Sequence, residues 1–246
     1  MFKKGDFTFI LGPCLVEDHA HAVRHATHLR KLSDELHVPV VYKSSFIKDN
    51  RTSKDSPRGL IDNLKILRDL RDILPVITDV HSPADPPYIK QGKFVDALQI
   101  PAMLSRQTSL LEAAGHSGLP VLIKKGQAMT WDQAYKAADK IGHNDVALCE
   151  RGTAFGYNRL VVDFEELGYA VDESPHPIIF DATHSTSIGA TGAYHLARAA
   201  CANKVDGIFA EVHEYPSRAP SDGSKMLGLG VVEGFMEMCL RYRNVS

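Results

Sequence analysis

Eight short apolar runs, amphipathic stretches between them and a polar cluster at the end of almost every run predict one fold class. It is α/β, a single (β/α)8 TIM barrel spanning residues 1–246 as one catalytic domain. The first run is 7–11, followed by a helical pattern over 20–36. The second is 38–43, leading into 60–73. Runs at 76–80 and 97–100 follow, the latter leading into a helix at 108–116. Residues 121–123 lead into 131–141, and 146–148 precede an amphipathic segment at 160–169. The last two units pair 178–180 with 191–202, and 207–210 with 228–242. Alternation at intervals of roughly 20 to 40 residues is the signature of parallel βαβ units. Unbroken apolar runs suit strands covered on both faces. An open doubly wound sheet is the rival, but eight repeats in 246 residues favour closure.

Composition narrows the function classes. Apolar residues make up 44% and charged residues 24%, an ordinary globular balance. A formal net charge of −2 gives no general attraction to nucleic acid or anionic membrane. No run has the length of a membrane span or the pattern of a secretory signal, so the cytoplasm is the expected compartment. Cys14, Cys149, Cys201 and Cys239 are widely spaced, without a CxxC pair, and are expected as thiols or ligands rather than disulfides.

The strand ends carry the chemistry. They read Gly12-Pro13-Cys14, Lys43-Ser44-Ser45, Asp79-Val80-His81, Gln99-Ile100-Pro101, Lys124-Lys125-Gly126, Glu150-Arg151-Gly152, Asp181-Ala182-Thr183-His184 and Glu211-Val212-His213. In a barrel all eight lie at the mouth. A solvated loop explains any one of them, but loops need only be polar, not rich in Lys, Arg, His, Asp and Cys. One subset is cationic: Lys43, Lys48, Arg51, Arg58, Arg106, Lys124 and Arg151. It suits a ligand with several negative charges, or two anionic ligands. Surface salt bridges with Asp49, Asp55 and Glu150 account for Arg58 or Lys125, but not for Lys43 and Lys124, which follow straight out of apolar strands. The other subset is Cys14, His184, Glu211 and Asp222, a thiol, an imidazole and two carboxylates. That donor mixture suits a divalent metal such as Zn²⁺, Fe²⁺ or Mn²⁺.

These motifs, with Tyr42-Lys43-Ser44-Ser45-Phe46, Lys48-Asp49-Asn50-Arg51-Thr52-Ser53, Arg106-Gln107-Thr108, Phe155-Gly156-Tyr157 and Leu160-Val161-Val162-Asp163, run in one order along nearly the whole chain. In them the chain resembles the 3-deoxy-D-manno-octulosonate 8-phosphate synthases, within the superfamily that includes the 3-deoxy-D-arabino-heptulosonate 7-phosphate synthases. The Lys-x-Asn-Arg-x-Ser segment resembles the former group. The resemblance implies condensation of phosphoenolpyruvate with arabinose 5-phosphate, releasing phosphate. It puts Lys43, Lys48, Asp79, Lys124 and His184 at the reacting groups. Lys43, Lys48, Lys124 and Arg151 would hold phosphoenolpyruvate, with Arg106 near its phosphate. Asn50, Arg51 and Ser53 would hold the aldose phosphate, with Asp79 on the sugar. Cys14, His184, Glu211 and Asp222 match the metal ligands of the metal-dependent branch; the metal-independent branch has Asn at the position of Cys14. A homotetramer is implied as well.

Departures from the family pattern concern the acceptor. Asp49 stands where the family has Ala, and the loops at 54–60 and 185–193 are short. The alternatives are the same condensation on another aldose such as erythrose 4-phosphate, a metal-dependent pyruvate aldolase, and a barrel that only binds sugar phosphates.

Overall fold

The computed structural model describes residues 1–49, 61–143 and 145–245. Eight parallel strands form the barrel: β1 (Thr8–Gly12), β2 (Val40–Lys43), β3 (Val76–Asp79), β4 (Ala97–Ile100), β5 (Val121–Lys124), β6 (Val146–Glu150), β7 (Ile178–Asp181) and β8 (Gly207–His213). Each pairs with the next, and β8 returns to β1 with Leu11 beside Ala210 and Gly12 beside Glu211, closing the sheet. The barrel and its strand order are therefore those expected from the sequence.

Around it lie α1 (His19–Glu35), α2 (Asn63–Leu70), α3 (Asp85–Gly92), α4 (Thr108–His116), α5 (Trp131–Asp139), α6 (Phe164–Glu173), α7 (Ala190–Ala202) and α8 (Val232–Asn244). Polar side chains start several of them. Asp18 caps α1 by accepting from the His21 amide, Thr130 and Gln133 form a capping box on α5, and Asp163 accepts from the Glu165 and Glu166 amides of α6. Helix α3 lies in a stretch between 80 and 97 that was given no element from the sequence. Pro86 and Pro87 both lie in its first turn, where a missing N–H costs nothing. The segment expected as one amphipathic unit at 160–169 divides instead. Leu160–Val161 pairs with Thr153–Ala154 in a short hairpin, and α6 begins only at Phe164.

Side chains alternate along each strand, which splits the core into two layers. Outward residues such as Phe9, Leu11, Val40 and Leu98 pack under the helices. Inward residues Ile10, Val41, Ile77, Ala97, Leu122, Ala147, Cys149, Ile179 and Phe209 fill the barrel, with Phe2 against them. No helix among the described residues is long and apolar enough to cross a membrane.

Candidate active site at the barrel mouth

The same alternation builds the site. Two residues beyond each inward apolar residue lies the next inward position: Gly12, Lys43, Asp79, Gln99, Lys124, Arg151, Asp181 and Glu211. Seven of these eight, all but Gly12, line one cavity of about 160 Å³, joined by Lys48 and His184. Gly12 has φ +154° and packs against the Lys43 carbonyl so closely that no Cβ fits, which lets the chain turn and deliver Cys14 to the same mouth.

Two buried carboxylates organise the cations. Asp79 receives Lys43 Nζ at 2.8 Å on Oδ1 and Lys48 Nζ at 3.3 Å on Oδ2, and Gln99 Nε2 donates to Oδ1 at 3.2 Å. Burial alone would raise the Asp79 pKa, but Lys43 and Lys48 outweigh it and hold the carboxyl well below the ordinary range. Lys48 is the mirror case: burial pulls its ammonium down, and Asp79, Cys14 and Glu211 lift it above its ordinary value. Asp181, fully buried, receives Lys124 Nζ at 2.7 Å and His184 Nδ1 at 2.8 Å, both on Oδ2. Its Oδ1 accepts from the His184 amide at 2.9 Å, so it also starts the short turn Ala182–Ser185. Burial raises it, His184 and Lys124 outweigh that, and it stays ionised. Lys124 Nζ lies 3.1 Å from the centroid of the Phe209 ring below it.

Asp79, named from the sequence as a sugar contact, thus already engages three side chains. Asp181 and Gln99 were missed as individual residues; counting by twos from the inner apolar layer finds both. Arg106 is not brought to this cavity. It is exposed and lines a separate pocket with Gln133, Lys136 and Lys140. Asn50, Arg51, Ser53 and Arg58 lie outside the described residues. Lys125 and Glu150 do pair, at 3.1 Å, but their side chains are 4% exposed, so this is a buried bridge rather than the surface one expected. The pair floors a second cavity of about 520 Å³ walled by Met129, Trp131, Phe155, Val162 and Phe164. That cavity is larger but mostly apolar, and the convergent charges belong to the smaller one.

The four residues expected at a metal fall into a coherent donor set. Cys14, Glu211 and Asp222 offer ligand atoms within 4.8 Å of one another. His184 Nε2 lies just beyond, 3.9 Å from Glu211 Oε1. Both Glu211 carboxylate oxygens are buried without a hydrogen-bond partner. An unpaired buried carboxylate is costly, and a cation beside it removes that cost. Burial and then Glu211 push the Cys14 thiol up to about 12, and its Sγ donates to Asp222 Oδ2 at 3.4 Å. His184 Nδ1 faces Asp181, which leaves Nε2 on the side of Glu211. Thiol, imidazole and two carboxylates fit a borderline divalent cation.

A neighbouring group, Glu17, His21 and His213, has comparable spacing but different chemistry. The Tyr215 amide donates to His213 Nδ1 at 2.9 Å, and His213 Nε2 lies 2.7 Å from Glu17 Oε1, so both ring nitrogens already have protein partners.

Comparison with known proteins agrees with this geometry. A model of the DAHP synthetase I family matches residues 3–244. Proteins named 2-dehydro-3-deoxyphosphooctonate aldolase are similar over almost the full length. One from Rickettsia bellii (strain OSU 85-389) is 42% identical, covering 98% of this chain and 93% of its own. One from Agrobacterium fabrum is 42% identical over 98% and 90%, and one from Cyanothece sp. (strain PCC 7425) is 39% identical over 96% and 92%. A match that takes in the whole barrel, mouth residues included, makes the chain a member of the DAHP synthetase I family.

Proposed function

We propose that this protein is a transferase that condenses phosphoenolpyruvate with arabinose 5-phosphate and water, giving 3-deoxy-D-manno-octulosonate 8-phosphate and inorganic phosphate. The observation that carries this is one small cavity in which Lys43, Lys48, Lys124 and Arg151 converge beside a thiol–imidazole–carboxylate set. The name shared by the relatives is that of an enzyme of the same eight-carbon sugar acid phosphate.

The chemistry follows from charge. Two phosphorylated substrates repel each other, and fixed cations offset the repulsion while holding them in reacting orientation. Lys43, Lys48, Lys124 and Arg151 bind phosphoenolpyruvate; Asn50, Arg51 and Ser53 hold the aldose phosphate. The enol carbon C3 attacks the aldehyde carbon, the C=C pair forms the new C–C bond, and the aldehyde oxygen takes a proton to become a hydroxyl. Water adds to the electron-poor C2, loses a proton, and the adduct breaks its C–O bond to release phosphate. The ammonium groups stabilise the negative charge that builds up on the departing phosphate. Cys14, His184, Glu211 and Asp222 would hold a divalent metal such as Mn²⁺, Fe²⁺ or Zn²⁺. That ion supplies Lewis acidity to an oxygen at the reacting centre.

The finer setting belongs to the same proposal. The enzyme works in the cytoplasm, in lipopolysaccharide (Kdo) biosynthesis, where its four buried thiols stay reduced. It assembles as a homotetramer, for which the exposed Met103, Phe155, Tyr157 and Ile188 around the mouth supply apolar surface.

Phosphate release under saturating phosphoenolpyruvate tests the reaction. Arabinose 5-phosphate should support turnover, and erythrose 4-phosphate little or none. Faster release with another aldose would replace the acceptor, and turnover with free pyruvate would replace the reaction class. Chelation should abolish the rate and Mn²⁺ restore it; full activity in a metal-free preparation would remove the metal.

A further inference from the structure

Asp181 stands between the two halves of the site. A single oxygen, Oδ2, receives Lys124 Nζ at 2.7 Å and His184 Nδ1 at 2.8 Å. Lys124 belongs to the cationic half and His184 to the donor set. Two donors on one oxygen compete for its electron density, so what one partner loses the other gains. An anion in the cavity draws the Lys124 ammonium toward itself and away from Oδ2. The His184 Nδ1–H bond to Asp181 then strengthens, and Nε2 becomes a better donor. The third group near both, Phe209, is apolar and does not compete. Its ring lies 3.1 Å from Lys124 Nζ and 6.1 Å from the His184 ring.

We infer that Asp181 is a positioning residue that links the two binding events, so that phosphoenolpyruvate on Lys124 tightens the metal site through His184. By reciprocity the metal tightens phosphoenolpyruvate by the same factor. The inference rests on the substrate and metal assignments proposed above. It adds an order to the site: the cation is held best when the first substrate is present.

Through-space attraction between the anion and the cation would also give coupling, so the test must separate the two routes. Co²⁺ serves as the probe metal, titrated into chelator-treated protein and followed by its thiolate charge-transfer band, with and without phosphoenolpyruvate. In the unaltered protein phosphoenolpyruvate should tighten Co²⁺ about five- to tenfold, within the usual range of such couplings. Asp181→Asn should weaken Co²⁺ alone by about 10- to 100-fold. In that variant the effect of phosphoenolpyruvate should shrink to about twofold or less. A full effect retained in Asp181→Asn, or none in the unaltered protein, overturns the inference.

A second pair of variants keeps the question open to test if Asp181→Asn fails to fold. Lys124→Met frees Oδ2 permanently and should tighten Co²⁺ without phosphoenolpyruvate. Lys43→Met removes a charge that acts directly on Cys14, whereas Lys124 is not among the main influences on that thiol. The relay requires the larger gain from Lys124→Met; a larger gain from Lys43→Met is the through-space result and overturns it. Loss of the thiolate band in the unaltered protein would defeat the metal assignment. Absence of phosphoenolpyruvate binding by calorimetry would defeat the substrate assignment. Either result removes the linkage and shows which half failed.

Discussion

Asp79 and Asp181 occupy equivalent inward positions on β3 and β7, yet they do different work. Asp79 holds two ammonium groups and an amide, all from the cationic side of the cavity. Asp181 holds one ammonium and one imidazole, and so touches both sides. The first is a counter-ion: it holds Lys43 and Lys48 in place until an anionic substrate arrives. The second is a junction. A barrel offers this because alternate strands deliver inward residues to the same layer and the strands between them to the next, so neighbouring chemistries come within hydrogen-bond reach. What separates the two roles is which groups the adjacent strands and the following turn present.

The largest expected effect tests the counter-ion half of that contrast. Asp79→Asn leaves two ammonium groups, 2% and 10% exposed, without their carboxylate. Removing one partner of a buried charge pair typically costs about 3–5 kcal/mol. Urea unfolding should show a loss in that range. Asp181→Asn should cost less, because it leaves one ammonium without its carboxylate rather than two, and Lys124 keeps the Phe209 face. The reverse ranking would break the distinction between counter-ion and junction.

Much of this was legible in the sequence, for identifiable reasons. The strands are short apolar runs with polar ends, and alternation was enough to place Lys43, Lys124 and Glu211 at the mouth. Cys14 was legible through its motif, although its position depends on a Gly12 conformation that no spacing reveals. Asp181 was visible only as one member of a polar cluster. Its role depends on the turn Ala182–Ser185, which folds His184 back over it. Arg106 shows the opposite placement. A basic residue after a strand reads as a mouth residue, but after β4 the chain turns outward into α4 and carries Arg106 toward α5. Helix α3 was not read from the sequence; its Pro86 and Pro87 sit in the first turn, where prolines are harmless.

Acidification separates the inner polar layer from the histidines outside it. His25 is fully buried, accepts from the Glu214 amide and faces the His21 carbonyl. Burial and then His21 bring its pKa down to about 4, against about 6.5 in an unfolded chain. Below pH 6.5 the unfolded chain therefore binds a proton that the native state refuses. Stability should fall by about 3 kcal/mol in all as pH drops from 6.5 to 4. Asp79 works in a lower window. Its native pKa lies far below the unfolded value of about 3.9, so its contribution is complete above that value and is lost only at more acid pH. Unfolding midpoints measured from pH 7 to 3 should show two stages. His25→Gln should shrink the upper one and leave the lower one in place, the remainder coming from His21, His81 and His176, which burial also holds below the ordinary histidine value. A single stage confined to pH below 4 would show that His25 takes up its proton in the folded protein.

The smallest effect concerns Gln99, which assists Asp79 and has no counterpart at Asp181. Its Nε2 donates to Asp79 Oδ1 at 3.2 Å, while its Oε1 is buried without a hydrogen-bond partner. Gln99→Leu removes both features at once. Losing a hydrogen bond to a charged acceptor costs about 1.5–3 kcal/mol, and relieving a buried orphan acceptor returns about 1–3 kcal/mol. Asp79 keeps Lys43 and Lys48, so its charge stays compensated. The two terms nearly cancel, and the unfolding midpoint in urea should correspond to a change of about 1 kcal/mol or less. Gln99→Glu should be far worse, because it places a second carboxylate 3.2 Å from Asp79 in a buried layer. If Gln99→Leu destabilised the protein as much as Asp79→Asn, the amide would be the anchor of this half of the mouth and the two lysines its dependants.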